Sequence, residues 1–484
     1  MASIKKNFFY SGILTTANYI FPFITYPYVS RVLGVTNIGI CNFVDSIINY
    51  FILFSMMGIS IVGIREIAKS KNDPAQLNRT FSSLFWINTI STSFVLIVLC
   101  ISIYTIPQLY VYKELLFIGV FKLAFNYLNV DWLYKGLENF KYITVRTLVV
   151  KCLYVICVYA LVHDKNDYII YYVLLCGMTI VNAIINIIYS KHFVRITCKA
   201  LTFKPFIKPF LTLGLYTFLT SMYTSFNVAY LGFTSGETEV GYYTTATKLY
   251  TILLAIFTAF TGVLLPRMSS LIAERKMDGF RELLKKSVDI LFAFAIPTII
   301  FAIIMAPEII EIISGKGYEG AIVPMRIVMP LILVIGYEQI LVIQTLMPLK
   351  EDKIILRNSI LGAASGLLMN ILLVSNWHSV GSAFVWVISE LVVLTSAQAF
   401  LSKHHDIHFP IRRLLKSIIW HIPLLACVWL ITLINNNPFI TMTIAAIALL
   451  AYCTILQVFI LKNEMLVSLY NKYIASHILK SKRP

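Results

Sequence analysis

An all-α integral membrane protein with fourteen transmembrane helices is the fold class this chain predicts, and three observations carry that reading. First, its 484 residues contain fourteen apolar stretches, each near the roughly 20 residues that span a hydrocarbon layer as a helix. Second, hydrophobic residues make up 58% of the chain and charged residues only 13%. With a mean hydropathy of +0.80, this is no soluble composition at such a length. Third, thirty-three of the forty Lys and Arg residues fall in eight segments that alternate with base-poor connections. Cytoplasmic loops retain such residues because they resist translocation.

The first seven stretches cover residues 8–30, 38–62, 81–104, 114–134, 144–162, 168–189 and 210–233. The second seven cover 241–265, 285–306, 321–347, 354–375, 380–401, 416–434 and 439–461. Starting from Lys5 and Lys6, every second connection is basic. The opposite connections hold Arg31, Lys113, Lys165 and Lys316, beside acids such as Asp164, Asp167, Glu237, Glu239, Glu308, Glu311 and Glu319. Both termini are therefore expected in the cytoplasm. No small-residue cleavage pattern follows the first stretch, which reads as a retained span. The net charge of +17 belongs mainly to the cytoplasmic loops, where basic residues meet anionic lipid head groups. Nucleic acid is not an expected partner, because that would need a folded basic domain. Eight cysteines lie mostly within spans, with no paired metal-ligand spacing.

Two halves of the chain match at a fixed offset. Gly39 opens the second span and Arg65 closes it; Gly241 opens the eighth and Arg267 closes it, and both separations are 26 residues, at an offset of 202. Leu33-Gly34 precedes the first member of the pair and Leu231-Gly232 the second. The repeat predicts a six-helix lobe at 1–205 and another at 206–404, with helices thirteen and fourteen appended at 405–461 and a cytoplasmic amphipathic tail at 462–484. Six is even, so both lobes share one orientation, related by an axis along the membrane normal. Transporters commonly place their substrate path between such repeats. Span one carries Pro22 and Pro27, each of which removes a helix hydrogen bond and invites a kink.

Longer motifs carry a family resemblance. They are Pro27-Tyr28-Val29-Ser30-Arg31-Val32-Leu33-Gly34, then Ile38-Gly39, Gly63-Ile64-Arg65-Glu66-Ile67-Ala68, and Asp131-Trp132-Leu133-Tyr134-Lys135-Gly136. Val240-Gly241-Tyr242-Tyr243 with Ala246 and Lys248, and Leu265-Pro266-Arg267-Met268-Ser269, complete the set. Together these resemble the Wzx-type polysaccharide flippases of the MATE-like multidrug/oligosaccharidyl-lipid/polysaccharide superfamily. The resemblance implies a bacterial inner-membrane protein that moves an undecaprenyl-pyrophosphate-linked oligosaccharide, such as an O-antigen or lipopolysaccharide precursor, to the periplasmic leaflet. It also implies two six-helix lobes around a central cavity. One departure is Asn227, in span seven, where the family often has Asp.

An ionisable group at membrane depth costs a few kcal/mol or more, so it should face a wet cavity or a partner. Lys122 and Lys248 each lie on the order of 10 to 12 Å from the outer end of their spans, at 1.5 Å per residue. Asp45 is at similar depth, and the offset of 202 places it opposite Thr247, beside Lys248. Arg31 ends span one and Arg326 sits near the outer end of span ten. Arg31, Lys122, Lys248 and Arg326 are candidates to line a path and attract pyrophosphate, the arginines bidentately and the lysines as point charges. The competing reading has both arginines snorkelling to the interface and Lys122 paired with Asp45 as a structural bridge. Glu338 and Glu390 lie near the middle of spans ten and twelve, where an acid can bind a proton or sodium ion and couple transport to a gradient. Asp131 reads as the ion-pair partner of Lys135. Arg65 and Arg267, equivalent in the repeat, are candidates for cytoplasmic entry or plain orientation markers.

Two rival functions follow. A membrane-embedded glycan polymerase or transferase would need catalytic groups on a substantial loop, yet the longest outer loop, 307–320, is short and holds no metal cluster or nucleotide-binding glycine motif. A drug or cation exporter of the same superfamily would favour carboxylates, whereas this interior offers lysines. The reading that results is not an enzyme and needs no cofactor. Its partners are membrane lipids, a lipid-linked oligosaccharide, and the polymerase and glycosyltransferases of one pathway.

Overall fold

The computed structural model describes residues 4–198, 201–434 and 437–461, and every regular element among them is helical. The amphipathic tail expected at 462–484 lies outside the described residues. In chain order the helices begin with α1 (Ile4–Met56), α2 (Ile59–Ser70), α3 (Pro74–Thr105), α4 (Pro107–Tyr110), α5 (Lys113–Asn126), α6 (Asp131–Gly136) and α7 (Phe140–Leu161). Then come α8 (Tyr168–Ser190), α9 (Lys204–Thr224), α10 (Phe226–Ser235), α11 (Glu237–Ala273), α12 (Met277–Ile304) and α13 (Ala306–Ser314). The last six are α14 (Ile322–Val328), α15 (Leu331–Leu341), α16 (Asp352–Met369), α17 (Ser375–His404), α18 (Ile411–Ile434) and α19 (Pro438–Thr454).

Ten segments among the described residues are long and apolar enough to cross a membrane. The surface pattern fits lipid rather than water. On α3, Ile90, Phe94, Ile97 and Ile101 form an exposed stripe at helical spacing, while the polar Asn88 and Thr92 are buried. A helix in water shows the reverse arrangement. The chain is a multi-pass membrane protein.

Local chemistry sets the ends and breaks. Asp73 caps α3 by accepting from the Ala75 and Gln76 amides, with Pro74 in the first turn, where its missing donor costs nothing. Asn437 and Pro438 do the same for α19. Inside α1 the non-helical residue is Gly34, at φ 76°, a conformation that glycine reaches without steric penalty. Pro22 and Pro27 lie within α1 on the N-terminal side of that break.

Four stretches differ from the sequence expectation: span two is divided at Met57 and Gly58, between α1 and α2, and three more follow. Span four ends at Asn126, and Asp131 begins the separate short helix α6. Span seven is divided at Ser225 between α9 and α10. Span ten is divided where α14 stops and Pro330 leads into α15.

The chain packs as two compact units. The first comprises Met1–Lys248, Ser314–Pro324 and Ser359–Ser389. A buried apolar core there joins α2, α3 and α6: Trp132 stacks on Phe81 at 5.3 Å between ring centroids. A Cβ on Gly63 would sit 2.6 Å from the Trp132 ring, and one on Gly136 would meet Ile67. Two of the sequence motifs thus pack against each other.

Within the same unit, α1 beyond its break runs against the start of α11. Thr36 and Thr238 hydroxyls are 3.0 Å apart, and the Asn42 amide donates to the Thr244 hydroxyl at 3.3 Å. A Cβ on Gly39 would lie 3.0 Å from the Gly241 nitrogen and 1.8 Å from the Glu237 carbonyl. Each of the three pairs is 202 positions apart, the offset of the repeat. Positions equivalent in the repeat thus meet one another along this contact.

The second unit comprises Leu249–Ile313, Met325–Asn358 and Glu390–Pro484. Here α12 packs against α15, α18 and α19. Leu291 of α12 fills the space beside Gly336, and the Tyr452 hydroxyl ties α19 to the Trp420 carbonyl of α18.

Candidate functional site

The second half of α1 presents Asn42, Asp45 and Asn49 at steps of three and four residues, which line one helix face. Helix α5 approaches that face closely because Gly119 has no side chain: a Cβ there would sit 2.4 Å from Ile48. One turn further along α5, Lys122 reaches across. Its ammonium donates to Asp45 Oδ1 at 2.6 Å and to Asn49 Oδ1 at 3.0 Å. Asn49 in turn donates to Asp45 Oδ2 at 2.9 Å. The triangle is closed, and Lys122 retains only 7% exposure. A buried charge is tolerable on these terms, paired and hydrogen-bonded.

Lys248 is placed differently. It is half-buried near the middle of α11, with its ammonium 5.2 Å from the centre of the Tyr26 ring, inside cation–π range. It has no ion-pair partner among the described residues, although Asp45 acts on it electrostatically. Tyr26 is itself fixed by a 2.5 Å hydrogen bond with Thr245. Lys248 therefore carries an aromatic face behind its charge and three N–H donors. Arg31 is exposed and donates to the Pro27 carbonyl at 3.1 Å, its stem against Gly315, whose φ is +83°. Beside it, the Tyr318 hydroxyl donates to the Ser30 carbonyl at 2.9 Å.

The first unit thus gathers Asp45, Lys122 and Lys248. Arg65, exposed within α2, pairs with Glu66 at 2.7 Å. Arg326, Arg267, Glu338 and Glu390 belong to the second unit. Arg326 is exposed and donates to the Ile303 carbonyl at 3.0 Å, while Arg267 is exposed late in α11. The carboxyl groups of Glu338 and Glu390 face each other within hydrogen-bonding range, and Glu390 is buried. Two carboxyls in such contact disfavour carrying a charge each.

Two interior cations escaped the sequence reading. Arg146 and Lys151 were counted with the cytoplasmic segment, yet both lie inside α7. Arg146 is buried and bonds Asp131 Oδ1 at 3.0 Å, so Asp131 pairs with Arg146 rather than Lys135. Asn186 also donates to that carboxylate, at 2.8 Å. Lys151 is held by Asn18 Oδ1 at 2.8 Å. In the loop between α6 and α7, Glu138 accepts from Lys71, at the end of α2, at 2.8 Å, and that bond holds its carboxyl below the ordinary range.

Asn227, where an acid was expected by resemblance, sits in a neutral network. It is fully buried and accepts from the Asn370 amide at 2.9 Å, with the Tyr243 hydroxyl and Ser382 carbonyl at 3.5 Å. Among the described residues no group of His, Cys, Asp or Glu is arranged to hold a metal.

A multi-pass helical membrane protein with a charged cluster inside its first unit is the class defined so far. The family described as polysaccharide biosynthesis protein matches residues 4–272, more than half of the chain, and the chain belongs to it. A protein of Escherichia coli (strain K12) provisionally named an O-antigen transporter is 25% identical over 408 residues, covering 82% of this chain and 97% of its own. Among solved structures, the lipid II flippase MurJ in its inward closed conformation superposes with a TM-score of 0.74 at 16% identity. That match covers 92% of this chain and 98% of MurJ. An outward-facing multidrug resistance MATE family transporter of the MOP superfamily gives 0.54 at 15% identity, over 82% of this chain and 94% of its own. These structural likenesses establish the fold.

Proposed function

We propose that the chain is a flippase carrying an undecaprenyl-pyrophosphate-linked oligosaccharide from the cytoplasmic to the periplasmic leaflet of the bacterial inner membrane, for surface polysaccharide biosynthesis. Lys248 is the observation that carries this reading: an interior cation without an ion-pair partner among the described residues, backed by Tyr26. An anionic, sugar-bearing cargo needs such a group, because its phosphates meet a free ammonium and its sugar rings an aromatic face. Family membership and the transporter named in Escherichia coli support the same substrate class. Arg31 and Arg326 are proposed as further contacts along the path, Arg65 and Arg267 as entry contacts, and the Lys122–Asp45 pair as the scaffold beside Lys248. The protein is then a transporter, not an enzyme, working beside a polymerase and glycosyltransferases.

The finer architecture belongs to the same proposal: fourteen passes, both termini cytoplasmic, and lobes at 1–205 and 206–404 that alternate in access, with helices thirteen and fourteen following. Support comes from α1, whose 53 residues would extend about 80 Å at 1.5 Å each, far beyond one bilayer crossing of about 30 Å. Gly34 divides it, and the non-helical His378 lies between α16 and the main part of α17. Glu338 and Glu390 are proposed as the coupling site, holding the proton or cation whose gradient drives exchange.

An exporter of cations would need a carboxylate open to its cargo. Asp45 is instead held by both Lys122 and Asn49, which favours the anionic cargo.

Replacing Lys248 by Gln tests the reading. The expected result is a loss of surface polysaccharide of about tenfold or more, the worth of a charge-assisted contact. Lipid-linked oligosaccharide should accumulate on the inner leaflet at an unchanged protein level. Full export by Lys248→Gln would remove the role given to that residue. Normal surface polysaccharide in cells deleted for the gene and lacking a redundant transporter would sink the flippase reading altogether.

A further inference from the structure

The second unit contains a cleft that the proposed transport path does not use. It has a volume of about 510 Å³ and lies where α12 and α18 begin, closed below by the segment that follows α19. Its walls carry Lys285, Lys286, Arg413 and Lys416 against two acids, Glu282 and Asp289. Both acids are already engaged. Lys286 binds Glu282 at 2.7 Å and Arg413 binds Asp289 at 3.1 Å. Lys285 acts on Glu282 only electrostatically, and Lys416 has no ion-pair partner among the described residues. The cleft therefore keeps a surplus of positive charge.

A second observation, independent of charge, also points to a ligand. Gln457 lines the cleft and is only 5% exposed, yet its side-chain amide has no hydrogen-bond partner among the described residues. A ligand offering both acceptors and donors, such as a phosphodiester with a hydroxyl-bearing head, would satisfy it.

Surroundings along α18 indicate what the ligand is attached to. Beyond the basic residues comes Trp420, an aromatic of the kind enriched at membrane interfaces, with the exposed Ile419, Ile422, Leu425 and Trp429 around and after it. Cation, aromatic and open apolar surface follow in the order of an amphiphile. The chain's own tail, residues 462–484, is a poor occupant. It carries Lys462, Lys472, Lys480, Lys482 and Arg483 against the single acid Glu464.

We infer that this cleft binds the headgroup of an anionic glycerophospholipid resident in the leaflet that α12 and α18 enter, with its acyl chains along α18. Basic pockets between membrane helices recognise such lipids through the phosphate. The inference does not depend on the transport reading, since none of its residues belongs to the Lys248 cluster.

The test is native mass spectrometry of the full chain released from phosphatidylcholine nanodiscs doped with phosphatidylglycerol. Wild type is expected to retain phosphatidylglycerol over phosphatidylcholine. Lys285→Gln with Lys416→Gln should lower that preference about thirtyfold, at about 1 kcal/mol for each of the two cations. Gln457→Leu should lower it less, and Lys191→Gln, in the first unit, should leave it unchanged. Should the double variant not fold, the Gln457→Leu arm and a salt titration of wild type, in which the preference must weaken, decide the matter. Equal retention of both lipids, an intact preference in the folded double variant, or a preference indifferent to salt would overturn the site. Complete displacement by undecaprenyl phosphate at equal concentration, or by inorganic phosphate alone, would overturn the assigned occupant.

Discussion

Lys122 and Lys248 stand at equal depth in the sequence, but their surroundings give them different work. Lys122 is locked to Asp45 and Asn49, so removing it leaves a carboxylate stranded in a mostly buried site. Lys122→Ala should cost about 3 kcal/mol of stability, read as a fall in melting temperature and in membrane protein level. Asp45→Asn combined with Lys122→Ala should recover much of that loss, because no charge is then left alone. Full stability in the single variant would show that the pair is dispensable. This part of the site was legible from the sequence because Asp45 and Lys122 are isolated charges in apolar runs, with few partners available. Arg146 and Lys151 were not. They stand a few residues from loop cations, so charge spacing alone groups them with orientation markers. Their partners Asp131 and Asn18 are 15 and 133 residues away.

At the scale of helices, the approach of α1 to α11 depends on two glycines. A Cβ on Gly241 would sit 2.3 Å from the Val35 carbonyl, closer than side chains come. Gly241→Leu should therefore separate the two helices and reduce export. The Thr36 and Thr238 hydroxyls, 3.0 Å apart, offer a reversible version. In a chain carrying Thr36→Cys and Thr238→Cys with the other cysteines removed, oxidation should form a disulfide and stop transport. Reduction should restore it. Undiminished transport in the oxidised form would mean that this contact never opens in the cycle. The glycines announced themselves through the repeat. The break at Ser225 did not, because no proline or glycine marks it and its cause lies in packing rather than in local propensity.

Across the whole molecule, alternation of basic and base-poor connections is a direct physical record of which loops stayed in the cytoplasm, and it makes a topological prediction. Cys198 is exposed in the connection between α8 and α9, on the expected cytoplasmic side. A membrane-impermeant maleimide applied to intact spheroplasts should leave Cys198 unlabelled. It should react with Lys165→Cys in a chain otherwise free of cysteine. The opposite labelling would invert the orientation. Hydropathy reports how many apolar stretches exist, and so the multi-pass class was readable. It cannot report where helices run together or break, which is why spans two, four, seven and ten differ in detail.

The contact between equivalent positions of α1 and α11 has a further consequence, in the language of descent. Two identical chains meeting on a two-fold axis must offer the same residue from both sides, so any charge on one side would be mirrored on the other. Within a single chain that constraint is absent. Asp45 answers to Thr247, and Lys248 to Ser46. One stretch keeps an acid for Lys122 while the other supplies an ammonium with no matching charge opposite, a lopsidedness that two identical chains could not hold.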